Sequence, residues 1–315
     1  MTEINADSEV IAIDIGGTNI KAARIDSRGN ALAFASVATP VTRGKDAILG
    51  VVVNVARSLE TANVSGVSLV VPGIVDSPNG VARYSANLGW RNWPLREILA
   101  ETLNHRVTLG HDVMAAGETE MRTGQGMGNG LVVVIGTGVA CVTVMNGQIV
   151  RGAEGMAGEL GHVVVRPGGA VCGCGNRGCL EAYASAGALP LRFRDVAGRD
   201  TDVESIVRNV KNDSIAQEVW AQAIDCLASA LAMVICVQDP AKIVLAGGLS
   251  LAGDALTVPL VKALKAQLVW RAPPSVELSR FRQHAGVVGA AIQFYQSMGV
   301  KDFSTWRPWP LEGEQ

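Results

Sequence analysis

The sequence predicts an α/β protein built from two related lobes, on three observations. A unit of strand, glycine- and threonine-bearing turn, strand, polar turn and strand occurs at residues 10–37 and again at 131–150. Segments of helical periodicity (46–61, 94–103, 113–122, 214–237 and 286–296) alternate with apolar runs of strand length. The chain also combines 48% apolar residues and 36 glycines with only 4% aromatics, a balance that suits close-packed backbone and glycine-rich ligand loops. Its 315 residues suffice for more than one core of ordinary size.

Taken in order, Val10 to Ile15 is an apolar strand that ends in Asp14 and the turn Gly16-Gly17-Thr18. Lys21 to Ile25 and Ala31 to Val37 follow as strands, separated by the polar turn Ser27-Arg28-Gly29-Asn30. Asp46 to Thr61 is an amphipathic helix, Val67 to Val71 a buried strand, Pro94 to Leu103 a helix and Val107 to Leu109 a strand. Asp112 stands at the entrance of the helix Val113 to Arg122. After the glycine-rich stretch Gly124 to Gly130, Leu131 to Ile135, the turn Gly136-Thr137-Gly138 and Val139 to Met145 restart the pattern. Asn146-Gly147 is a strong hairpin signal leading into Gln148 to Val150. The repeat sets a boundary near residues 119–129, giving a first lobe over 1–118 and a second over 119–285. Ser214 to Val237 is a long helix stopped by Asp239-Pro240, Ile243 to Ala246 a strand, and Gly286 to Gln296 the last helix. Residues 301–315, with two Trp-Pro-type clusters, read as an irregular tail without an assigned role.

A formal net charge of −2 gives no reason to expect nucleic-acid or anionic-membrane binding. The acidic segment Met1 to Glu9 does not read as a secretory signal, and no apolar run is expected to span a bilayer. Three of the six cysteines fall in one short loop, which reads as metal binding in a reducing, cytoplasmic compartment.

Asp14-Ile15-Gly16-Gly17-Thr18 combines backbone free to approach phosphate oxygens, a hydroxyl donor, and a carboxylate suited to holding Mg2+ through water. Alone it is equally an ordinary tight hairpin, and it is neither a Walker loop nor a dinucleotide fingerprint. Gly136-Thr137-Gly138 and Ala246-Gly247-Gly248 repeat the logic at two further strand ends. Three such turns, two of them at one place in a repeated unit, are expected to clamp a nucleotide between the lobes. His162 with Cys172, Cys174 and Cys179 supplies the three thiolates and one imidazole of a closed, structural Zn2+ site. A disulfide reading fails because Cys172 and Cys174 are too close to bridge comfortably and one cysteine is left over. Glu159 and Glu181 flank these ligands and suit sugar hydroxyls, although without the loop each would be a solvated charge. Asp112, at a helix N-terminus that favours the anion, is suited to accept a hydroxyl proton; a plain helix cap is the bland alternative.

These motifs, together with Val71-Pro72-Gly73-Ile74-Val75-Asp76, Gly158-Glu159-Leu160-Gly161-His162 and Cys172-Gly173-Cys174-Gly175-Asn176-Arg177-Gly178-Cys179-Leu180-Glu181, resemble the ROK family of sugar kinases and related repressors. The resemblance runs from about Ile11 to Ala291. It implies the two-lobed actin-like ATPase (ribonuclease H-like) fold, with the final helix (286–300) completing the first lobe and a zinc loop at 162–181 in the second. It implies Asp112 as catalytic base, Gly73, Asn87, Glu159, His162 and Glu181 on the sugar side, and His162, Cys172, Cys174 and Cys179 as zinc ligands. His111 stands where the family has Asn, and Ala140 and Cys141 interrupt the family's glycine run; both departures bear on sugar preference and nucleotide approach. The implied cofactors are ATP, Mg2+ and structural Zn2+, and the implied assembly is a homodimer or homotetramer. The leading expectation is ATP-dependent phosphorylation of a hexose 6-hydroxyl, of glucokinase type. An N-acetylmannosamine or N-acetylglucosamine kinase is the neighbouring alternative, since Ser85 and Ala86 beside Asn87 leave room for an acetamido group. A sugar-responsive regulator without activity is the alternative of another class; 13 residues before Asp14 are too few for a helix-turn-helix module.

Overall fold

The computed structural model describes residues 8–85, 87–123 and 126–309. The described residues up to Met127, with those from His284 onward, form one compact unit; Gly128–Gln283 form a second. A boundary at 118/119 would fall inside the helix Asp112–Arg122, and the division lies at 127/128 instead.

In unit 1, strands β1 (Glu9–Ile15), β2 (Asn19–Asp26) and β3 (Ala31–Ala38) form an antiparallel meander. Helix α1 (Lys45–Ser58) returns the chain to β4 (Val64–Val71), which pairs parallel with β1. Strands β5 (Ile74–Asp76), β6 (Val81–Ser85) and β7 (Trp90–Trp93) make a separate small sheet. Helix α2 (Leu95–Leu103) then leads to β8 (Val107–His111), parallel to β4, and on to α3 (Asp112–Arg122). The main sheet therefore has the order β3-β2-β1-β4-β8.

Unit 2 repeats that plan. Strands β9 (Gly130–Ile135), β10 (Val139–Met145) and β11 (Gln148–Ile149) form the meander, and β12 (Lys242–Ala246) and β13 (Ser275–Leu278) are the parallel strands. Their order, β11-β10-β9-β12-β13, matches the first sheet strand for strand in position and polarity. Where unit 1 has only α1 between its third and fourth strands, unit 2 carries the cysteine loop and α4 (Glu181–Ala184), α5 (Ala188–Ala197), α6 (Val203–Asn209) and α7 (Ser214–Gln238). Helix α8 (Asp254–Gln267) bridges β12 and β13, and α9 (Ala285–Ser297) returns to unit 1.

Each core follows the sequence pattern. Ile11, Ile13, Val67 and Leu69 are fully buried under α1 and α2 in unit 1. Leu131, Val133, Ile243 and Leu245 lie under α7 and α8 in unit 2. Contrary to the expectation that no apolar run is long enough to span a membrane, α7 meets that test with its 25 residues. More than half of it is buried against unit 2, and it carries Glu218 and Asp225, as the core helix of a globular unit does. Helices α3 and α9 cross closely: a Cβ on Gly289 would strike the Ala115 carbonyl, and Thr119 Oγ1 donates to the Ala285 carbonyl at 2.7 Å. The described tail, residues 301–309, is irregular in secondary structure as expected, yet it is packed: Phe303 is buried against Trp306, and Trp306 against Tyr295 and Gly29.

Candidate active site

In unit 1 the β1–β2 register places Asp14 directly opposite Lys21, one step from the turn at Gly16. The turn is closed by the Gly16 amide on the Asn19 carbonyl at 2.9 Å and braced by Thr39, whose hydroxyl donates to the Gly16 carbonyl at 2.7 Å. Burial pushes the Asp14 carboxyl up to about 7, and the charge of Asp112 adds to the rise while Lys21 opposes it. Burial in turn lowers the Lys21 ammonium, and Asp14 opposes that shift. Asp14, Lys21 and Asp112 thus form one electrostatic cluster, and Lys21 is the member the sequence reading missed. The signal was present: in a hairpin centred on Gly16 to Asn19, residues 14 and 21 must face each other.

Asp112 is the first residue of α3, and the cap is His111, not Asp112. His111 Nδ1 accepts from the amides of Val113 and Met114 at 3.2 and 3.4 Å and lies 3.2 Å from Asp112 Oδ1. With Nδ1 accepting from these amides, the nitrogen left to donate to a neighbouring ligand is Nε2. Asp112 Oδ1 accepts from the Val113 amide at 2.8 Å, and no described residue bonds Oδ2. One oxygen anchors the carboxylate at the helix N-terminus and the other is left to work. Gly73 (φ +99°) opens the small sheet so close to the Tyr84 carbonyl that a side chain there would collide. Asn87 is exposed in the turn after β6; Ala86 lies outside the described residues.

In unit 2 the turn Gly136-Thr137-Gly138 is closed by the Gly136 amide on the Gly138 carbonyl at 2.9 Å. Glu181, the first residue of α4, accepts from the Val139 amide through Oε2 at 3.0 Å and packs against Gly138. Its other oxygen is 4.0 Å from Cys172 Sγ, so one carboxylate touches both the glycine turn and the cysteine loop. Gly247 (φ +84°) ends β12 against the Ile135 backbone, where any Cβ would collide, while Gly248 is open. The Gly158 carbonyl, which accepts from the Cys141 amide at 2.8 Å, ties the segment bearing Glu159 and His162 to β10. Cys141 itself is buried, and burial with the nearby Glu159 charge pushes its thiol up to about 12, which makes it inert.

The donor atoms of His162, Cys172, Cys174 and Cys179 all lie within 4.8 Å of one another. A tetrahedron with Zn–S near 2.3 Å and Zn–N near 2.0 Å requires edges of about 3.8 Å between sulfurs and about 3.6 Å from sulfur to nitrogen. Cys174 and Cys179 sulfurs are 3.8 Å apart, and Cys172 Sγ is 3.7 Å from His162 Nδ1. Burial pushes the Cys172 thiol up, whereas the Asn176 amide pulls Cys174 down. Burial pushes the Cys179 thiol up to about 12 as well, and the spacing of the four donor atoms fits zinc, which would draw the protons from the thiols. The loop is shaped for it by two bridges, Val164 to Cys179 and Val171 to Arg177, and by the Cys172 amide on the Asn176 carbonyl. His162 Nε2 points toward Glu159, 3.8 Å from Oε2. The sequence-derived groups therefore assemble as two clusters, one in each unit.

The ROK family matches residues 10–297, and the chain belongs to that family. Among characterised relatives, a glucokinase of Halalkalibacterium halodurans is 31% identical over 313 residues, covering 90% of this chain and 94% of that protein. The N-acetylgalactosamine kinase AgaK of Shewanella sp. is 32% identical, covering 89% and 94% respectively. The crystal structure of a ROK family glucokinase from Streptomyces griseus in complex with glucose and AMPPNP has a TM-score of 0.83 at 27% identity, covering 92% of this chain and all of that one. The fold is thus that of the ROK sugar kinases, of actin-like ATPase type, as the sequence implied.

Proposed function

We propose that the protein is an ATP-dependent sugar kinase that phosphorylates the 6-hydroxyl of a hexose, most simply glucose. The observation that carries this reading is the Asp112 carboxylate, held at a helix N-terminus by one oxygen with the other unengaged by any described residue. In the reaction the sugar oxygen attacks the γ-phosphorus, its proton passes to Asp112, and the bond from phosphorus to the ADP oxygen breaks. The turns of Gly16, Gly17 and Thr18 in unit 1, and of Gly136, Thr137, Gly138, Gly247 and Gly248 in unit 2, let phosphate oxygens approach the backbone closely, with Thr18 and Thr137 adding hydroxyls. Asp14 offers the hard oxygen ligand for Mg2+, which supplies charge neutralisation on the phosphates. Gly73, Asn87, His111, Glu159, His162 and Glu181 form the sugar side. His162, Cys172, Cys174 and Cys179 would hold a zinc ion whose filled shell leaves it the role of fixing the loop.

A 31%-identical glucokinase and the glucose-bound structural relative support glucose. The Shewanella relative supports a second reading, an N-acetylhexosamine kinase such as one for N-acetylmannosamine or N-acetylglucosamine. A cytoplasmic location and a homodimer or homotetramer accompany either reading. The test is coupled ADP release across glucose, mannose, allose, N-acetylmannosamine and N-acetylglucosamine. Turnover with glucose at the highest kcat/KM is the expected result; higher kcat/KM with an N-acetyl sugar selects the second reading. Absence of turnover with every sugar contradicts both and favours a sugar-responsive regulator.

A further inference from the structure

The tail and one buried histidine are left unused by this chemistry, and they meet. His284, the residue before α9, is only 6% exposed, and neither ring nitrogen has a hydrogen-bond partner among the described residues. Its ring sits edge-on to Phe34 of β3, with centroids 5.2 Å apart, and 5.9 Å from the ring of Trp309. Trp309 is fixed in turn by its indole nitrogen, which donates to the Gly29 carbonyl at 3.1 Å. These tail residues lie beyond the stretch that the family matches, which ends at residue 297. Burying two unpaired ring nitrogens is unfavourable, and a phenylalanine would fill the same aromatic slot without that cost. Two residues further on, Gly286 lies so close to Asp14 that a Cβ there would be 2.4 Å from its Oδ2. The first turn of α9 therefore packs directly on the carboxylate. Lys21, the cross-strand partner of Asp14, is also near enough to His284 to hold its ring neutral alongside burial.

We propose that the C-terminal tail belongs to the nucleotide-side machinery: Trp309 pins His284 against Phe34, and His284 thereby sets the first turn of α9 against Asp14. His284 is a positioning residue, acting through α9 and Lys21 on a carboxylate it does not touch. The inference rests on the kinase reading, in which Asp14 serves the nucleotide. It accounts for an imidazole in an aromatic slot, and for a tail docked beyond the stretch that the family matches.

The test is calorimetric titration of Mg2+ and AMPPNP into the full chain, with wild type, Trp309→Ala, Trp309→Phe and His284→Phe side by side. Trp309→Ala is expected to weaken analogue binding roughly threefold to tenfold, the range of couplings carried through packed side chains. Trp309→Phe should restore it. His284→Phe should weaken it similarly while the melting temperature holds or rises, a split that mere packing would not give. In steady state, the KM for ATP should rise in Trp309→Ala while the KM for sugar stays put. Wild-type binding in both Trp309→Ala and His284→Phe, or equal rises in both KM values, would overturn the inference and leave the kinase reading intact. A wild-type chain that binds no nucleotide would overturn both.

Discussion

The hairpins that open the two units share a frame and differ in what they bury. Aligned on their turns, Ile15 and Ile20 of unit 1 correspond to Ile135 and Val139 of unit 2, each pair in register across its hairpin. One step back from the turn, unit 1 has Asp14 opposite Lys21, whereas unit 2 has Val134 opposite Ala140. The second hairpin shows that an apolar pair satisfies this architecture. A desolvated carboxylate and ammonium at the same place in the first hairpin are therefore not needed for the fold, and point to chemistry. Unit 2 puts its polar groups elsewhere, in the long insertion between its third and fourth strands, where a cysteine loop and Glu181 lie against the glycine turn.

If unit 1 carries the reactive carboxylates, the largest effect belongs to Asp112→Asn. Turnover should fall roughly 10²- to 10⁴-fold, the span of general-base contributions. Sugar affinity measured by calorimetry should stay near wild type, and near-normal kcat would remove the base assignment. If unit 2 depends on its loop, Cys174→Ser should lose bound zinc by elemental analysis and raise the sugar KM roughly tenfold to a hundredfold. Retention of one zinc per chain would contradict this.

Much of this was legible in the sequence, for identifiable reasons. The two meanders announced themselves because each has a glycine turn followed by a polar one, and the zinc set because four ligands fall within 18 residues of chain, from His162 to Cys179. The small sheet β5–β7 was missed because strands of three to five residues carry too few alternations to register. Helix α8 contains Pro259, which reads as a breaker, and the short helices α4 to α6 have little periodicity to offer. His111 as cap was hidden because imidazole is not among the usual capping side chains. The docking of Trp306 and Trp309 on Gly29 joins residues some 280 apart, which no local pattern records.

A smaller effect concerns pH and unit 1. Burial and the nearby Lys21 charge pull His284 down to about 4 from an ordinary value of 6.5. The unfolded chain takes up that proton first as pH falls. His284 thus carries an acid penalty that is absent above about 6.5 and grows as pH drops toward 4, to on the order of 2–3 kcal/mol. Asp14 has the opposite slope: its raised value makes its contribution present in acid and lost as pH rises through about 7. Urea unfolding of wild type and His284→Phe between pH 4 and 7 isolates the first term. The variant should lose less stability in acid, and parallel curves would contradict the assignment.

The comparison between the hairpins is tested most directly by giving the first the residues of the second. The double variant Asp14→Val with Lys21→Ala should melt at the wild-type temperature or above, because replacing two desolvated opposite charges by apolar groups is often neutral or stabilising. Its rate of ADP release with saturating sugar should fall roughly a hundredfold or more, as when a preorganised charged group is removed from a reaction site. A variant that melts far below wild type while keeping its turnover per folded molecule would show that the pair serves the fold and not the chemistry.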